Sequence, residues 1–143
     1  MIKIHVAASR QYDVILNKGI LSMTGMYVKD ALGLQDDPIT GKLKNKKICI
    51  VTDETVDPLY GRENQTLWRS LTLTGFEVHK YVFPGGEDSK NMGTIEELLE
   101  FLAAKRFTRT DVLLALGGGI VGDVTGFAAA TYLRGIEFIQ VPT

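Results

Sequence analysis

Cysteine is almost absent from this 143-residue sequence: Cys49 stands alone, without a partner for an internal disulfide. A disulfide-stapled secreted scaffold is therefore excluded, and a buried apolar core must hold the fold, which this length permits. Cys49 lies inside the run Ile48-Cys49-Ile50-Val51, so a buried, inert thiol in a cytoplasmic protein is expected. Histidine is scarce as well. His5 and His79 are the only two; both fall in expected strands and form no metal-spaced pair, so no metal ligand is assigned. Excess charge of one sign is also missing, since 16 basic residues against 17 acidic ones leave a net charge of −1. No global field draws the chain to nucleic acid or to an anionic membrane. The densest basic run, Lys42 to Lys47, reads as a solvated turn. Long apolar runs are lacking: the least polar long stretch, Phe127 to Leu133, ends at Arg134, so neither a membrane span nor a signal peptide is expected.

What remains is an ordinary globular composition, 45% hydrophobic and 23% charged, arranged in a regular order. Ile2 to Val6 and Tyr12 to Leu16 read as two strands joined by a turn. Ile20 to Leu32 has apolar residues at helical spacing, and Gln35 to Asn45, with Asp36-Asp37-Pro38 and Gly41, is a loop. Lys46 to Asp53 is nearly all apolar, as a strand covered on both faces must be. A helix over Gln65 to Thr74, a strand over Phe76 to Phe83, and an amphipathic helix over Thr94 to Lys105 follow. Asp111 to Leu116 is a strand, Gly117-Gly118-Gly119 a turn, Val121 to Leu133 a helix and Ile136 to Val141 the last strand. The fold expected is α/β and Rossmann-like: a largely parallel sheet flanked by helices, with an N-terminal β-hairpin.

Ligands on such sheets gather beyond the carboxyl ends of the strands. Those ends are Asp53, the Pro84 to Lys90 loop, the Gly117 to Asp123 turn and Pro142-Thr143. The glycine turn follows an apolar strand and opens a helix. Bare backbone there lets a diphosphate approach amide N–H groups at the positive end of a helix dipole. Gly117, Gly119 and Gly122 fit the G-x-G-x-x-G spacing, but no acid ends the next strand to hold the ribose. Asp53, ending an earlier strand, is the available carboxylate. This is a variant nucleotide fold.

The stretch Gly117-Gly118-Gly119-Ile120-Val121-Gly122-Asp123-Val124-Thr125-Gly126-Phe127-Ala128-Ala129-Ala130-Thr131-Tyr132-Leu133-Arg134-Gly135, continuing to Gln140-Val141-Pro142-Thr143, closely resembles the signature of 3-dehydroquinate synthases. Pro84-Gly85-Gly86-Glu87-Asp88-Ser89-Lys90 resembles the same family's second nucleotide loop. The resemblance implies an NAD-dependent lyase that converts the sugar acid phosphate DAHP to 3-dehydroquinate and phosphate, in the shikimate route to aromatic amino acids. By that resemblance Gly118, Gly119, Ile120, Val121 and Gly122 cradle the cofactor phosphates, and Asp123 faces its nicotinamide or ribose. Gly86, Glu87 and Lys90 belong to the cofactor-contacting loop, Asp53 takes the adenosine ribose, and Thr143 closes over the cofactor. Arg134 takes the substrate phosphate; read without the resemblance, it is a helix-end cation offsetting the dipole.

The family's metal, Zn or Co, is held by a glutamate and two histidines downstream of the Val-Pro-Thr segment. Residues 1–143 are thus expected to be a single NAD-binding domain, shortened ahead of a helical metal-binding domain and inactive alone. With its second-domain surface uncovered near the cleft, such a chain should self-associate or form a homodimer. Related sugar-phosphate cyclases, metal-dependent polyol dehydrogenases and a non-catalytic nucleotide-binding module are the competing readings.

Overall fold

A computed structural model describes residues 1–143. Two strands, β1 (Ile2–Val6) and β2 (Tyr12–Leu16), pair antiparallel as a hairpin outside the main sheet. A 3-10 turn (Ile20–Met23) leads into helix α1 (Thr24–Ala31). Strand β3 (Lys47–Asp53) is followed by one π-helical turn (Asp57–Gly61) and α2 (Thr66–Thr74). Then come β4 (Glu77–Phe83), a 3-10 turn (Glu87–Ser89) and α3 (Met92–Ala104). Strand β5 (Val112–Gly117) feeds α4 (Gly119–Thr131), a 3-10 turn (Tyr132–Arg134) and β6 (Glu137–Pro142).

The main sheet is wholly parallel, in the order β4-β3-β5-β6. Its central strands are apolar on both faces, and each face has its own helical cover. Cys49, Val51, Leu113 and Ala115 point toward α3 and α4, where Leu98, Leu102, Val124 and Ala128 meet them. Ile48, Ile50, Val112 and Leu114 point the other way, toward Val28 of α1 and Leu67 and Leu71 of α2. Alternate residues of one strand thus enter two cores, which is why the sequence there shows an unbroken apolar run. Burial holds the Cys49 thiol well above its ordinary range, so it is inert as expected.

Three elements depart from the sequence reading. The expected helix over Ile20 to Leu32 is split into a 3-10 turn and α1. The π turn after β3 carries Pro58 and had no periodic signal of its own. The expected helix over Val121 to Leu133 starts two residues early, so Gly119 is helical, and it stops at Thr131. Leu133 and Arg134 then take left-handed backbone, with φ of 48° and 68°. Lys46 and Lys47 are not simply solvated: Lys46 Nζ donates to the Thr110 carbonyl, and Lys47 Nζ to the final carbonyls around α3, at Lys105 and Arg106. Those carbonyls lack intrahelical donors, and a lysine meets that need.

The hairpin has two unlike faces. Lys3 and His5 hold Asp13 on one, at 2.9 and 3.0 Å. On the other, Ile2 opposes Leu16, Ile4 opposes Val14 and Val6 opposes Tyr12, and all but Val6 are exposed.

Candidate nucleotide-binding site

Strand register brings the expected residues to one edge. Asp53 lies level with Phe83, and Gly117 with Pro142. Thr52 Oγ1 donates to the Leu116 carbonyl at 2.7 Å, locking β3 to β5 just before their ends. The amide of Thr143 donates to the Gly117 carbonyl at 3.2 Å, so β6 is tied to the glycine turn itself. No helix is long and apolar enough to cross a membrane.

The glycines of the turn do different things. A Cβ on Gly118 or Gly119 would meet nothing within 4 Å, and the same holds for Gly86 in the facing loop. At Gly117 a Cβ would sit 2.6 Å from Val121 Cγ2, and at Gly122 it would sit 2.6 Å from Gln140 Nε2. Gly117 and Gly122 therefore serve packing: one lets α4 leave β5 sharply, the other lets α4 lie close on β6. Gly118 and Gly119 leave open space beside the helix mouth. No side chain caps α4, so the amides of Gly119, Ile120 and Val121 have no acceptor within the helix. The Gly122 amide is already spent on the Gly118 carbonyl at 3.0 Å.

Charged groups frame that mouth. Lys90 Nζ lies 2.7 Å from Asp123 Oδ2, joining the β4–α3 loop to the first turns of α4. The Asp123 carboxylate, with Glu87 as a weaker influence, holds the Lys90 ammonium above its ordinary range. The loop is fixed behind Lys90 by Asn91, whose Oδ1 accepts from the Thr94 amide at 2.9 Å and caps α3. Asp53 Oδ1 accepts from the amides of Thr55 and Val56 at 2.9 and 2.8 Å, which fixes its rotamer. A Cβ on Gly85 would lie 3.7 Å from Asp53 Cγ, so the two loops are in contact. Asp53, Gly86, Lys90, Gly118, Gly119 and Asp123 thus share one edge. Thr143 is exposed beside them.

Arg134 is not among them. It follows the far end of α4, a helix whose 13 residues span about 20 Å at 1.5 Å per residue. It lines a different hollow, with Arg10, Arg109 and Glu137. Another hollow, about 580 Å³, lies between α2 and the turns at Leu21 and Tyr60, and holds none of the expected residues.

Two features of the edge escaped the sequence reading. Gln140 supports Gly122, and only its place as a polar residue in an apolar strand could have flagged it. The Asp57–Lys80 pair, 2.8 Å apart and largely buried, anchors the π turn to β4. Its partners lie 23 positions apart by their numbering, so no local pattern links them. His79 packs edge-on to Phe107 and touches Glu77, and no cluster of potential metal ligands exists.

Known proteins resemble the chain in sequence and in fold. Residues 80–143 match the family model described as 3-dehydroquinate synthase N-terminal. The 3-dehydroquinate synthase of Streptococcus suis (strain 05ZYH33) is 43% identical over 132 residues, covering 92% of this chain and 33% of that protein. That of Streptococcus mutans serotype c is 41% identical over 142 residues, covering 99% and 36%. The chain spans about a third of the length of the curated relatives it matches. Among solved structures, a 2-deoxy-scyllo-inosose synthase has a TM-score of 0.72 at 25% identity, over 99% of this chain and 36% of its own. A 2-epi-5-epi-valiolone synthase from Streptomyces hygroscopicus subsp. jinggangensis 5008, with NAD+ and Zn2+ bound, has a TM-score of 0.60 at 33% identity, over 68% and 26%. On its sequence matches and its fold together, the chain belongs to the 3-dehydroquinate synthase family, in the N-terminal part of its members.

Proposed function

We propose that residues 1–143 are the NAD-binding domain of a 3-dehydroquinate synthase, acting on DAHP together with a helical, metal-binding domain. The observation that carries this reading is the open mouth of α4: two unobstructed glycines, unpaired amides, and Lys90 held beside them by Asp123. When bound there, NAD supplies a reversible hydride sink, so that a substrate hydroxyl can become a ketone and acidify the neighbouring C–H before phosphate leaves.

This chain's own residues bind and orient. The amides of Gly119, Ile120 and Val121 donate to the diphosphate, and Gly118 keeps the approach clear. Gly122 acts indirectly, by letting α4 seat against Gln140. Asp53, its rotamer fixed by two amides, accepts from the adenosine ribose hydroxyls. Lys90 neutralises phosphate charge, which frees Asp123 to turn toward the nicotinamide side. Glu87 and Thr143 border the same cleft. Sequence identity of 43% to 3-dehydroquinate synthases against 25% and 33% to the two cyclases favours the dehydroquinate reaction over theirs. Catalytic groups and the metal, Zn or Co, belong to the helical domain.

Arg134, about 20 Å along α4 from its mouth, takes no part in holding the cofactor diphosphate; in this scheme it is left to the substrate phosphate, which lies apart from that diphosphate. The exposed apolar face of the hairpin is the surface through which copies would associate.

The test is a titration of the 15N-labelled chain with NAD, following backbone amide shifts. Saturable shifts at Gly86, Lys90 and Gly118 through Asp123, weakened in Asp123→Ala, support the reading. Shifts elsewhere, or a titration unchanged by Asp123→Ala, count against it.

A further inference from the structure

We infer that Lys80 and Asp57 are positioning residues for the adenosine end of the cofactor, an inference that rests on reading Asp53 as the ribose carboxylate. Their charge pair holds the turn that keeps Asp53 aimed at the ribose hydroxyls. Neither residue stands at the strand ends. Lys80 lies in β4 level with Ile50, three residues before Asp53 on β3, and Asp57 opens the π turn that follows β3. Lys80 Nζ is 2.8 Å from Asp57 Oδ1, and the two side chains are only 19% and 21% exposed. The same ammonium donates to the Gly61 carbonyl at 3.3 Å, so it grips the turn at both ends.

One residue joins the turn to Asp53. The Val56 amide donates to Asp53 Oδ1 at 2.8 Å, and the Val56 carbonyl accepts from the amides of Leu59 and Tyr60 at 3.0 and 3.1 Å. A shift of the turn therefore moves the amide that fixes the Asp53 rotamer. The Thr55 amide donates to the same oxygen at 2.9 Å, which leaves Oδ2 for ribose hydroxyls. The Glu54 amide donates to the Phe83 carbonyl at 3.1 Å and ties the segment to the end of β4. At the turn's other end the fit is close: a Cβ on Gly61 would sit 2.6 Å from Asp57 Oδ1 and 3.5 Å from Leu116 Cδ2.

An ion pair at this place supplies direction more than strength. Two packed apolar side chains of similar volume stabilise as well as a largely buried charge pair, and often better. The Lys80 ammonium is also not aligned to donate a hydrogen bond to Asp57 Oδ1, so the contact depends on charge. What the pair gives the chain is one fixed position for the turn. Turns of the π type are uncommon and gather at functional sites, and this one interrupts the path from β3 to α2 directly beside the candidate ribose carboxylate. No other salt bridge ties the β3–α2 connection to the sheet. A carboxylate held before its ligand arrives binds without the cost of ordering itself.

The experiment compares ADP with 2′-deoxy-ADP by amide shift titration of the 15N-labelled chain, because the two nucleotides differ in one ribose hydroxyl. The parent should prefer ADP by about tenfold, the effect of one hydrogen bond to a charged acceptor. Lys80→Met should cut that preference below about threefold. The double variant D57N/K80M leaves no lone charge buried, so it keeps the fold where the single variant might lose it, and it should lose the preference equally. Thermal unfolding of each variant checks the fold. A pair that only stabilises the chain would lower both affinities together and leave their ratio as in the parent. That unchanged ratio, in folded Lys80→Met or D57N/K80M, overturns the inference and leaves the ribose role of Asp53 standing. A parent that binds the two nucleotides equally well removes that role, and the positioning role of the pair falls with it.

Discussion

Replacing Gly118 by valine should separate cofactor binding from stability. Gly118 has φ −82° and ψ −161°, extended backbone that valine adopts readily, and its Cβ would touch nothing within 4 Å. Folding stability should stay within about 0.5 kcal/mol of the parent, as for other exposed positions without special contacts. Binding should suffer. A branched side chain in the open space keeps a diphosphate from the amides of Gly119 and Ile120, and each charge-assisted hydrogen bond lost is worth roughly 1.5 to 3 kcal/mol. One such loss lowers NAD affinity by about 10- to 150-fold. Gly117→Ala provides the contrast. Its Cβ would lie 2.6 and 2.9 Å from Val121 Cγ2 and Cβ, and Val121 is a stiff, buried residue, so overpacking of about 1 to 3 kcal/mol follows. Thermal unfolding should therefore drop by several degrees in Gly117→Ala and hold steady in Gly118→Val, while calorimetric or shift titration with NAD shows the loss in Gly118→Val. If Gly118→Val binds NAD as well as the parent, the open space has no bearing on the cofactor and the reasoning fails.

Three further outcomes follow from the structure. Leu114→Ala, at a fully buried site in the centre of β5, should destabilise the chain by about 2 to 5 kcal/mol in urea unfolding. Tyr81 is pushed up to about 12, by burial first and then by Glu97; because its folded value lies above the unfolded one, near 10, its contribution is intact below pH 10 and declines as pH rises toward 12. Urea midpoints at pH 9 and pH 11.5 should differ less in Tyr81→Phe than in the parent. Ile4→Lys, on the exposed apolar face of the hairpin, should weaken self-association measured by light scattering across a concentration series, with its circular dichroism unchanged.

The parallel sheet was legible because its central strands carry apolar residues on both faces, a pattern few other folds require. Cys49 and Ile50 face opposite cores, and the sequence shows this as a run without alternation. The glycine mouth, Asp53 and Lys90 were legible for a topological reason, since every strand end in such a sheet reaches the same edge. The separate duties of the glycines were not. Gly118 and Gly122 look alike in sequence, and only the position of Gln140 on β6 distinguishes the glycine that packs from the one that borders open space. The bend at Leu133 and Arg134 was hidden too. Nothing in Thr131-Tyr132-Leu133-Arg134 announces left-handed backbone, because the reason for it is a hydrogen bond from Tyr132 to distant Phe107. The convergence of Arg10 and Arg109 on Arg134 depends on three loops meeting in space, which no spacing rule encodes.

A crystal structure of the chain grown with NAD addresses the proposed site most directly. Diphosphate oxygens should lie within about 3.2 Å of the amide nitrogens of Gly119 and Ile120, with Lys90 drawn from Asp123 toward the phosphates and Asp53 on the adenosine ribose. Cofactor density in the hollow beside Leu21 and Tyr60, or a diphosphate that leaves those amides untouched, would contradict it.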